Sequence, residues 1–558
     1  MGACSVVHRQ TTHSSVFPHD GVLMQRLVNA VLVLLLAACR SAPEAPSVPL
    51  YDNLGDHHYG ITAADSTVQR YFDQGLRLYY GFNHAEAIRA FDEASRRDPT
   101  CAMCRWGVAL ALGPNINAPM DSAAGAAAWT AINDARALAS RGNERERALI
   151  EALATRYAAV PPADRSRLDS AWAMAIGAVA ARFPDDLEIA TLHAEARMDL
   201  SPWNYWNADR TPRAETPDIL ATLERVMAAD STHPGAHHFY IHAVEAIEPE
   251  RAVAVAERLA DLMPGAGHLV HMPSHIYIRV GRYADAVAIN EHAAHADETW
   301  IRDQRPGPGF YLAAYYPHNY DFLTFATSML GQRAKTFEAA DKNAAAVPRD
   351  LLGAPGYTLL QHHLTKRLQA RVRFAAWSEL LAEPRPVDTL PHAVAMWHYA
   401  RGRALAATGD MTGAAAALEA LRALAGDSTL SAQRMEYNSS GAVLAVAVDV
   451  LAGFLAHAAG QHDRAVLLLE AAVRKEDALT YGEPPEWTIP PRQDLGELLL
   501  AAGRPRDAER VFREDLAKFP ENGWSLRGLA TALRALGKSA EAGTVEARFR
   551  TAWATAAR

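Results

Sequence analysis

The sequence predicts an all-α solenoid, in which antiparallel helix pairs stack one after another along the chain. From about residue 65 onward, apolar residues recur with helical spacing and no stretch shows the alternation of a strand. A small residue returns after 34 positions in Ala252 and Ala286, and again in Ala508 and Ala542. Glycine-led turns of the form G-x-x-x-x-A recur at Gly281–Ala286, Gly409–Ala414, Gly460–Ala465 and Gly503–Ala508. Because one helix pair cannot bury its own apolar face, these repeats predict a stacked array.

The segment Tyr71–Pro99 shows the repeat unit most clearly and matches the tetratricopeptide-repeat (TPR) pattern. Gly75 falls on the first helix of the pair, and Ala87 and Phe91 fall on the second. Small residues let two antiparallel helices approach, and we expect Phe91 to fill the groove between units. Pro99 ends the unit because proline cannot continue a helix.

Breaks in this period indicate the domain organisation. We predict that residues 1–38 hold a stretch upstream of the true start and a lipoprotein signal. A flexible tether follows at 39–62, a first repeat array at 63–350, an irregular connection at 351–390 and a second array at 391–558. Long loops interrupt the pattern at 200–217, 296–320 and 476–492. Aromatic loops on a regular scaffold either carry function or brace the superhelix, and the sequence leaves both open.

The segment Met24–Cys39 indicates export. A basic residue, Arg26, precedes the apolar run Leu27–Leu36, which is short for a membrane span. The run ends in L-A-A-C, which resembles a bacterial lipobox and implies lipidation of Cys39, with Met24 as the start. Arg40 after the cysteine implies the outer membrane, facing the periplasm, with no membrane contact beyond the lipid. The alternatives are an ordinary secretory signal or a buried helix.

Charge and cysteine usage exclude some functions. A net charge of −9 argues against nonspecific nucleic-acid binding. Cys101 and Cys104 form a C-x-x-C, for which a local disulfide is favoured over a redox pair. Arg105 follows where haem attachment needs histidine, so covalent haem is excluded. Nucleotide-binding and hydrolase motifs are not found, which makes a binding protein more expected than an enzyme.

Several strings resemble one family of bacterial exported TPR lipoproteins of unassigned activity. They are Gly113–Met120, His233–Ala246, Pro264–Tyr283, 481–496 and 521–529. The resemblance covers most of residues 65–550 and implies a helical repeat fold and export, without a mechanism. It also implies a histidine at position 321, where this chain has Asp321.

Histidine is concentrated in one part of the chain. Of 23 histidines, seven lie between residues 233 and 275, namely His233, His237, His238, His242, His268, His271 and His275. The spacings i, i+3 and i+7 place His268, His271 and His275 on one helix face, and His238, His242 and Glu245 share a second such stripe. The repeat register predicts that both stripes face the concave groove, together with His318 and Asp321 of the next unit.

Three interpretations of this cluster stay open. In the first, zinc, copper or iron is bound by His238, His242, Glu245, His268, His271, His275 and His318. In the second, the same side chains form polar layers between helices. In the third, the groove holds a peptide, protein segment or small ligand, with contacts from His237, Arg279, Asp321, Trp203 and Trp206. Arg279 would bind a ligand carboxylate or pair with Glu245. The function predicted first is a ligand-binding scaffold, and the alternative is a metal-binding protein or metalloenzyme.

Overall fold

Helices account for most of the chain in the computed structural model, which describes residues 48–120, 122–354 and 357–556. Within these ranges no strand is present, and β-type backbone pairing is limited to isolated bridges. Leu50–Arg558 forms one compact unit. The leader and Cys39 lie outside the described residues.

The first helices run from the start of the array to the histidine-rich segment. They are α1 (Ser66–Tyr80), α2 (His84–Arg97), α3 (Ala102–Ala111), α4 (Ser122–Leu138), α5 (Glu144–Ala154), α6 (Ser166–Arg182), α7 (Leu187–Met198), α8 (Thr216–Ala229) and α9 (Pro234–Val244). The next are α10 (Val253–Leu259), α11 (Gly267–His271), α12 (Pro273–Arg279), α13 (Tyr283–Gln304), α14 (Tyr316–Met329), α15 (Arg333–Ala346), α16 (Leu359–Arg373) and α17 (Trp377–Ala382).

The remaining helices form the C-terminal part. They are α18 (Pro391–Ala407), α19 (Met411–Ala425), α20 (Ser428–Ser431), α21 (Ser440–Ala458), α22 (His462–Asp477), α23 (Pro491–Ala501), α24 (Pro505–Lys518), α25 (Gly523–Ala535) and α26 (Ser539–Ala552). Short 3-10 helices occur at Ala139–Arg141, Pro249–Ala252 and Arg349–Leu351, and a short π-helix at Tyr311–Tyr315 leads into α14.

The predicted fold class, a TPR-type α-solenoid, is confirmed, and one packing contact explains the residue types of the repeat. The buried Phe91 ring lies between Gly75 and Gly107, where an added Cβ would stand 2.6 Å and 2.5 Å from it. Phe512 lies between Gly496 and Gly528 in the same way. Only glycine leaves room for an aromatic ring that joins one helix pair to the next.

The C-terminal repeats pack back on the middle of the chain. The indole nitrogen of Trp524 donates to the carbonyl of Ser328 at 2.8 Å, and that of Trp553 donates to Met329 at 2.9 Å. These contacts join residues about two hundred positions apart, so the last repeats contact the middle of the array.

Two predicted segments differ from expectation. Residues 50–62 were expected in a flexible tether, but Tyr51 N donates to Gln74 at 2.8 Å, Gly265 N donates to the carbonyl of Asn53 at 2.8 Å, and Leu54 is buried. The connection expected to be irregular at 351–390 contains α16 and α17. Pro384 and Pro386 follow the end of α17.

Among the described residues, one helix, α21, is long and apolar enough to cross a membrane by length and composition, with a mean hydropathy of 1.9. The sequence had suggested that membrane contact comes through the lipid alone. More than half of the α21 segment is buried inside the protein, where Val443, Val450 and Leu451 belong to the main apolar core of the C-terminal part. The composition of α21 therefore follows from its place in that core.

Candidate metal centre

The histidines of the predicted site come from four helices that meet inside the solenoid. α9 carries His238 and His242, α11 and α12 carry the next three, and α14 carries His318. α11 passes into α12 through Met272, whose φ of −51° and ψ of −36° are helical. The helical course therefore continues across Pro273, and His271 and His275 stay on one side.

The predicted ligand residues are buried rather than open to a groove. Six of them are at most 2% exposed: His238, His242, Glu245, His268, His271 and His275. The side chain of His318 is 12% exposed. The expectation of an accessible concave groove is wrong at these positions, because Glu483 of the C-terminal part lies against His275, and Tyr437 packs on Trp203, which contacts His242.

His238, His242 and His268 form what we call the first set. Their ring nitrogens lie within 4.8 Å of one another. His238 Nδ1 lies 2.7 Å from the carbonyl oxygen of Tyr80. A carbonyl only accepts, so Nδ1 carries the proton and Nε2 of the neutral ring keeps its lone pair. That Nε2 faces His242 Nε2 at 3.1 Å.

His268 completes the first set and is the least satisfied side chain in it. It is 1% exposed, and neither ring nitrogen has a hydrogen-bond partner. Its ring centroid lies 5.0 Å from that of His238 and 4.5 Å from that of Tyr315. Two polar atoms are thus buried against imidazole and aromatic rings.

His271, His275 and His318 form the second set, with ring nitrogens again within 4.8 Å of one another. His271 Nδ1 lies 2.6 Å from Asn290 Oδ1, whose amide is oriented because Nδ2 donates to the carbonyl of Ala286 at 2.7 Å. Nδ1 of His271 therefore carries the proton, and its Nε2 faces His275 Nε2 at 2.9 Å.

Glu245 lies between the two sets and is fully buried. Its Oε2 is 2.9 Å from His275 Nδ1 and 3.6 Å from His242 Nδ1. Glu483 Oε2 lies 3.3 Å from the same His275 nitrogen. The carboxylates thus approach the Nδ1 edges of the rings, opposite to the Nε2 atoms that face their partners.

These surroundings set the protonation of the rings. Burial lowers the pKa of His238, His268, His271 and His318 well below the usual value, and neighbouring histidines add to the effect. Burial opposes the charge of His275, but Glu245 and Glu483 outweigh it and raise the pKa of His275 to about 9. Burial favours the neutral acid of Glu245, but His275 and His242 outweigh it and lower its pKa to about 2. Most rings are therefore neutral near pH 7, the form that binds metal.

The predicted groove residues nearest the sets brace the backbone around them. Arg279 donates to the carbonyl oxygens of Glu245 at 3.3 Å and Ala246 at 3.1 Å. Its nearest carboxylate is that of Glu483 at 3.5 Å, so the expected ion pair with Glu245 does not form. Trp203 contacts the first set, with its ring centroid 5.0 Å from that of His242.

The other predicted groove residues lie apart from a ligand surface. The buried His237 donates from Nδ1 to the carbonyl of His233 at 2.9 Å. Trp206 donates to the carbonyl of Ala243 at 2.8 Å, which ties its loop to α9. Asp321 pairs with Lys366 at 2.8 Å, and both side chains are fully buried.

The structure brings in residues that the sequence did not single out. Asn290 lies on α13, four positions after a repeat alanine, and nothing in its spacing marks it. Glu483 lies in the loop 476–492, whose length and aromatic content were the available signal. A further group joins His57, Glu188 and His233.

In that further group, the Glu188 carboxylate is paired with both histidine rings. His57 Nε2 lies 3.0 Å from Glu188 Oε2, and His233 Nε2 lies 3.5 Å from the same oxygen. His233 Nδ1 accepts from the backbone of Ala236 at 3.2 Å, so its proton is on Nε2, toward Glu188. The carboxylate already has its donors, which is typical of a structural network.

Cys101 and Cys104 are joined by a disulfide in the structure. Cys101 also caps α3, because its sulfur accepts from the backbone nitrogen of Cys104 at 3.1 Å. The pair closes the first turn of one helix and lies in a different repeat from the histidine sets.

Comparison with known proteins gives no family and loose structural matches. No protein-family model matches the chain, and no curated protein sequence matches it. A human IFIT1 dimer with m7Gppp-AAAA matches with 12% identity, a TM-score of 0.31 and coverage of 96% of this chain and 95% of that chain. The APC/C hetero-tetramer Cut9–Hcn1 matches with 11% identity, a TM-score of 0.32 and coverage of 92% and 82%. Superpositions this loose carry no argument about ligands, and the chain's own helix packing defines it as an all-α solenoid of TPR-type helix pairs.

Proposed function

We propose that this helical repeat scaffold is a metal-binding protein, and that its two histidine sets hold a transition metal of the zinc or copper class inside the solenoid. The observation that carries the proposal is His268, buried with two unpartnered ring nitrogens beside two other imidazoles. An unpaired buried polar group costs about 1–3 kcal/mol. A metal ion at the meeting point of the rings would remove this cost for the liganding nitrogen.

The hydrogen bonds of the neighbouring rings support the same conclusion. Histidines that bind metal usually donate their other N–H to a carbonyl or carboxylate, which fixes the ring and its tautomer. His238 does so to Tyr80, and His271 does so to Asn290. A purely structural network explains these two bonds, but it leaves His268 unsatisfied.

The expectation of a peptide in the groove is less well supported by the geometry. Most positions expected to contact it are buried or bonded to backbone, and Trp203 donates to the side chain of Asn117 at 3.0 Å. A cavity of about 190 Å³ does border Arg279, Tyr481 and Glu483. Its size and its place beside the second set suit the entry of an ion or small molecule better than a polypeptide.

The proposal is tested with untagged protein freed of metal by a chelator and titrated with zinc. We expect at least one tightly bound ion per chain and a rise in the thermal midpoint. Replacing one residue of each set, His238→Ala with His271→Ala, should abolish both effects.

The matched control is His362→Leu. His362 is fully buried and its ring nitrogens also lack partners, but it belongs to no group of converging ligands. It should leave zinc binding unchanged. Wild-type protein that binds no zinc or copper, with an unchanged thermal midpoint, would rule the proposal out.

We also propose that the chain is exported and lipid-anchored through Cys39. The leader-like segment Met24–Cys39 supports this, and the Cys101–Cys104 disulfide is compatible with an oxidising compartment. The test is labelling with a palmitate analogue, followed by fractionation of membranes. Wild-type protein should be labelled and sediment with membranes, whereas Cys39→Ser should be unlabelled. Equal labelling of both would contradict the proposal.

A further inference from the structure

We infer that the centre is dinuclear, with one ion on each trihistidine set and Glu245 between them as a charge partner of His275 and His242 rather than a ligand. The inference rests on the proposed function, because it requires that the histidines bind metal. It adds the number of ions, the ligand atoms and the role of the carboxylate.

The Nε2 atoms define the position of each ion. Nitrogen ligands at about 2.0–2.1 Å from one tetrahedral ion lie about 3.3 Å apart. The pair His238 and His242 has an Nε2 separation of 3.1 Å, and the pair His271 and His275 has 2.9 Å. Each pair is therefore close to the spacing of two ligands on one ion.

The third ligand of each set comes from a different helix. His268 on α11 approaches the pair on α9, and His318 on α14 approaches the pair on α11 and α12. A site that joins neighbouring helices in this way depends on the stacked repeats. Three imidazoles per ion leave a coordination position open, as in sites that bind a further small ligand.

The two sets cannot share a single ion. His242 directs Nε2 toward the first set and Nδ1 toward Glu245, and His275 directs Nε2 toward the second set and Nδ1 toward the same carboxylate. The centroids of these two rings are 5.4 Å apart. In each ring the Nε2 atom points to its own set and the Nδ1 atom points to Glu245. The two ion positions therefore lie apart, and Glu245 lies on the side of each ring opposite to its ion.

One rival arrangement uses the same residues. His242, Glu245 and His275 also offer ligand atoms within 4.8 Å of one another, so a single ion could lie at the centre. That ion would need the Nδ1 lone pairs. His275 Nδ1 lies 2.9 Å from a carboxylate oxygen of Glu245 and 3.3 Å from one of Glu483, and two carboxylates beside one ring nitrogen favour a proton there over a lone pair. Nitrogen-only sets on the Nε2 side also suit copper or zinc better than magnesium, calcium or manganese.

The two arrangements predict different counts of bound copper(II) per folded chain, measured after equilibrium dialysis of the full chain with copper(II) alone. With two ions, the wild type binds two, and His238→Ala and His271→Ala each bind one. Glu245→Gln, which keeps the size of the side chain and removes its charge, still binds two. With one central ion, the wild type and both histidine variants bind one, and Glu245→Gln binds none.

A second pair of measurements guards against misfolding and separates the outcomes. His268→Leu removes a ligand without breaking a side-chain hydrogen bond, and it should bind one copper with unchanged helical circular dichroism. The electron paramagnetic resonance signal of the wild type should be broadened by dipolar coupling between the two copper(II) ions, whereas His268→Leu should give the unbroadened signal of one isolated ion. Binding of a single ion by the wild type overturns the inference and leaves the proposed function intact. Binding of none overturns both.

Discussion

His268→Leu should stabilise the metal-free protein, and the metal that the variant no longer binds should offset this gain. The imidazole of His268 is 1% exposed and hydrogen-bonds to nothing through either ring nitrogen. Its ring lies 4.5 Å from Tyr315 and 5.5 Å from Phe82, centroid to centroid, so leucine would enter an aromatic and apolar environment.

The magnitude follows from those contacts. A buried polar group without a partner costs about 1–3 kcal/mol, so the metal-free variant should be more stable than the wild type by about that amount. Metal at about one hundred times its dissociation constant stabilises the folded state by about 2.7 kcal/mol for each ion. The variant loses one such contribution, so with metal it should be no more stable than the wild type.

The assay is urea unfolding followed by circular dichroism, in chelator and in excess zinc. We expect a higher midpoint for the variant in chelator and a smaller rise on adding zinc. A variant that is destabilised in chelator and keeps the full zinc-induced rise would refute the account of His268. The control His362→Leu shares the burial and the missing partners, and it should keep the full rise.

Three further predictions concern a supporting residue, a buried histidine and the repeat packing. Asn290→Ala removes the acceptor of the His271 N–H and should weaken metal binding by about 10–100-fold in isothermal titration. Burial, aided by Lys366, lowers the pKa of His392 to about 4 from 6.5, so its stabilising effect is full above pH 6.5 and is lost as pH falls toward 4. The drop in unfolding free energy over that window should be about 3 kcal/mol larger in the wild type than in His392→Gln, measured by urea unfolding. Gly528→Ala would place a Cβ 2.2 Å from the Phe512 ring and should destabilise the protein by about 1–3 kcal/mol, whereas exposed Gly543→Ala should not.

The repeat architecture could be predicted from sequence because its determinants are local. Gly75, Phe91 and the 34-residue alanine period each reflect contacts between neighbouring helices. The histidine stripes were predictable for the same reason, since i, i+3, i+4 and i+7 spacing fixes a helix face.

The packing of distant parts of the chain over the histidine sets could not be predicted in this way. It depends on contacts such as that between Trp524 and Ser328, which are 196 positions apart. Glu483 reaches His275 from a loop more than two hundred positions away, and Asn290 reaches His271 from the neighbouring helix. No local period encodes either contact, so the sequence indicated an open groove where the structure has a buried centre.

X-ray absorption spectroscopy of the zinc- or copper-loaded, untagged protein tests the central claim most directly, because it reads the ligands of the bound ion. The structure predicts about three imidazole nitrogens per ion at about 2.0–2.1 Å, with the outer-shell scattering of the rings. His238→Ala with His271→Ala should remove that signal. A spectrum dominated by oxygen ligands without imidazole scattering, or no retained metal, would contradict the account.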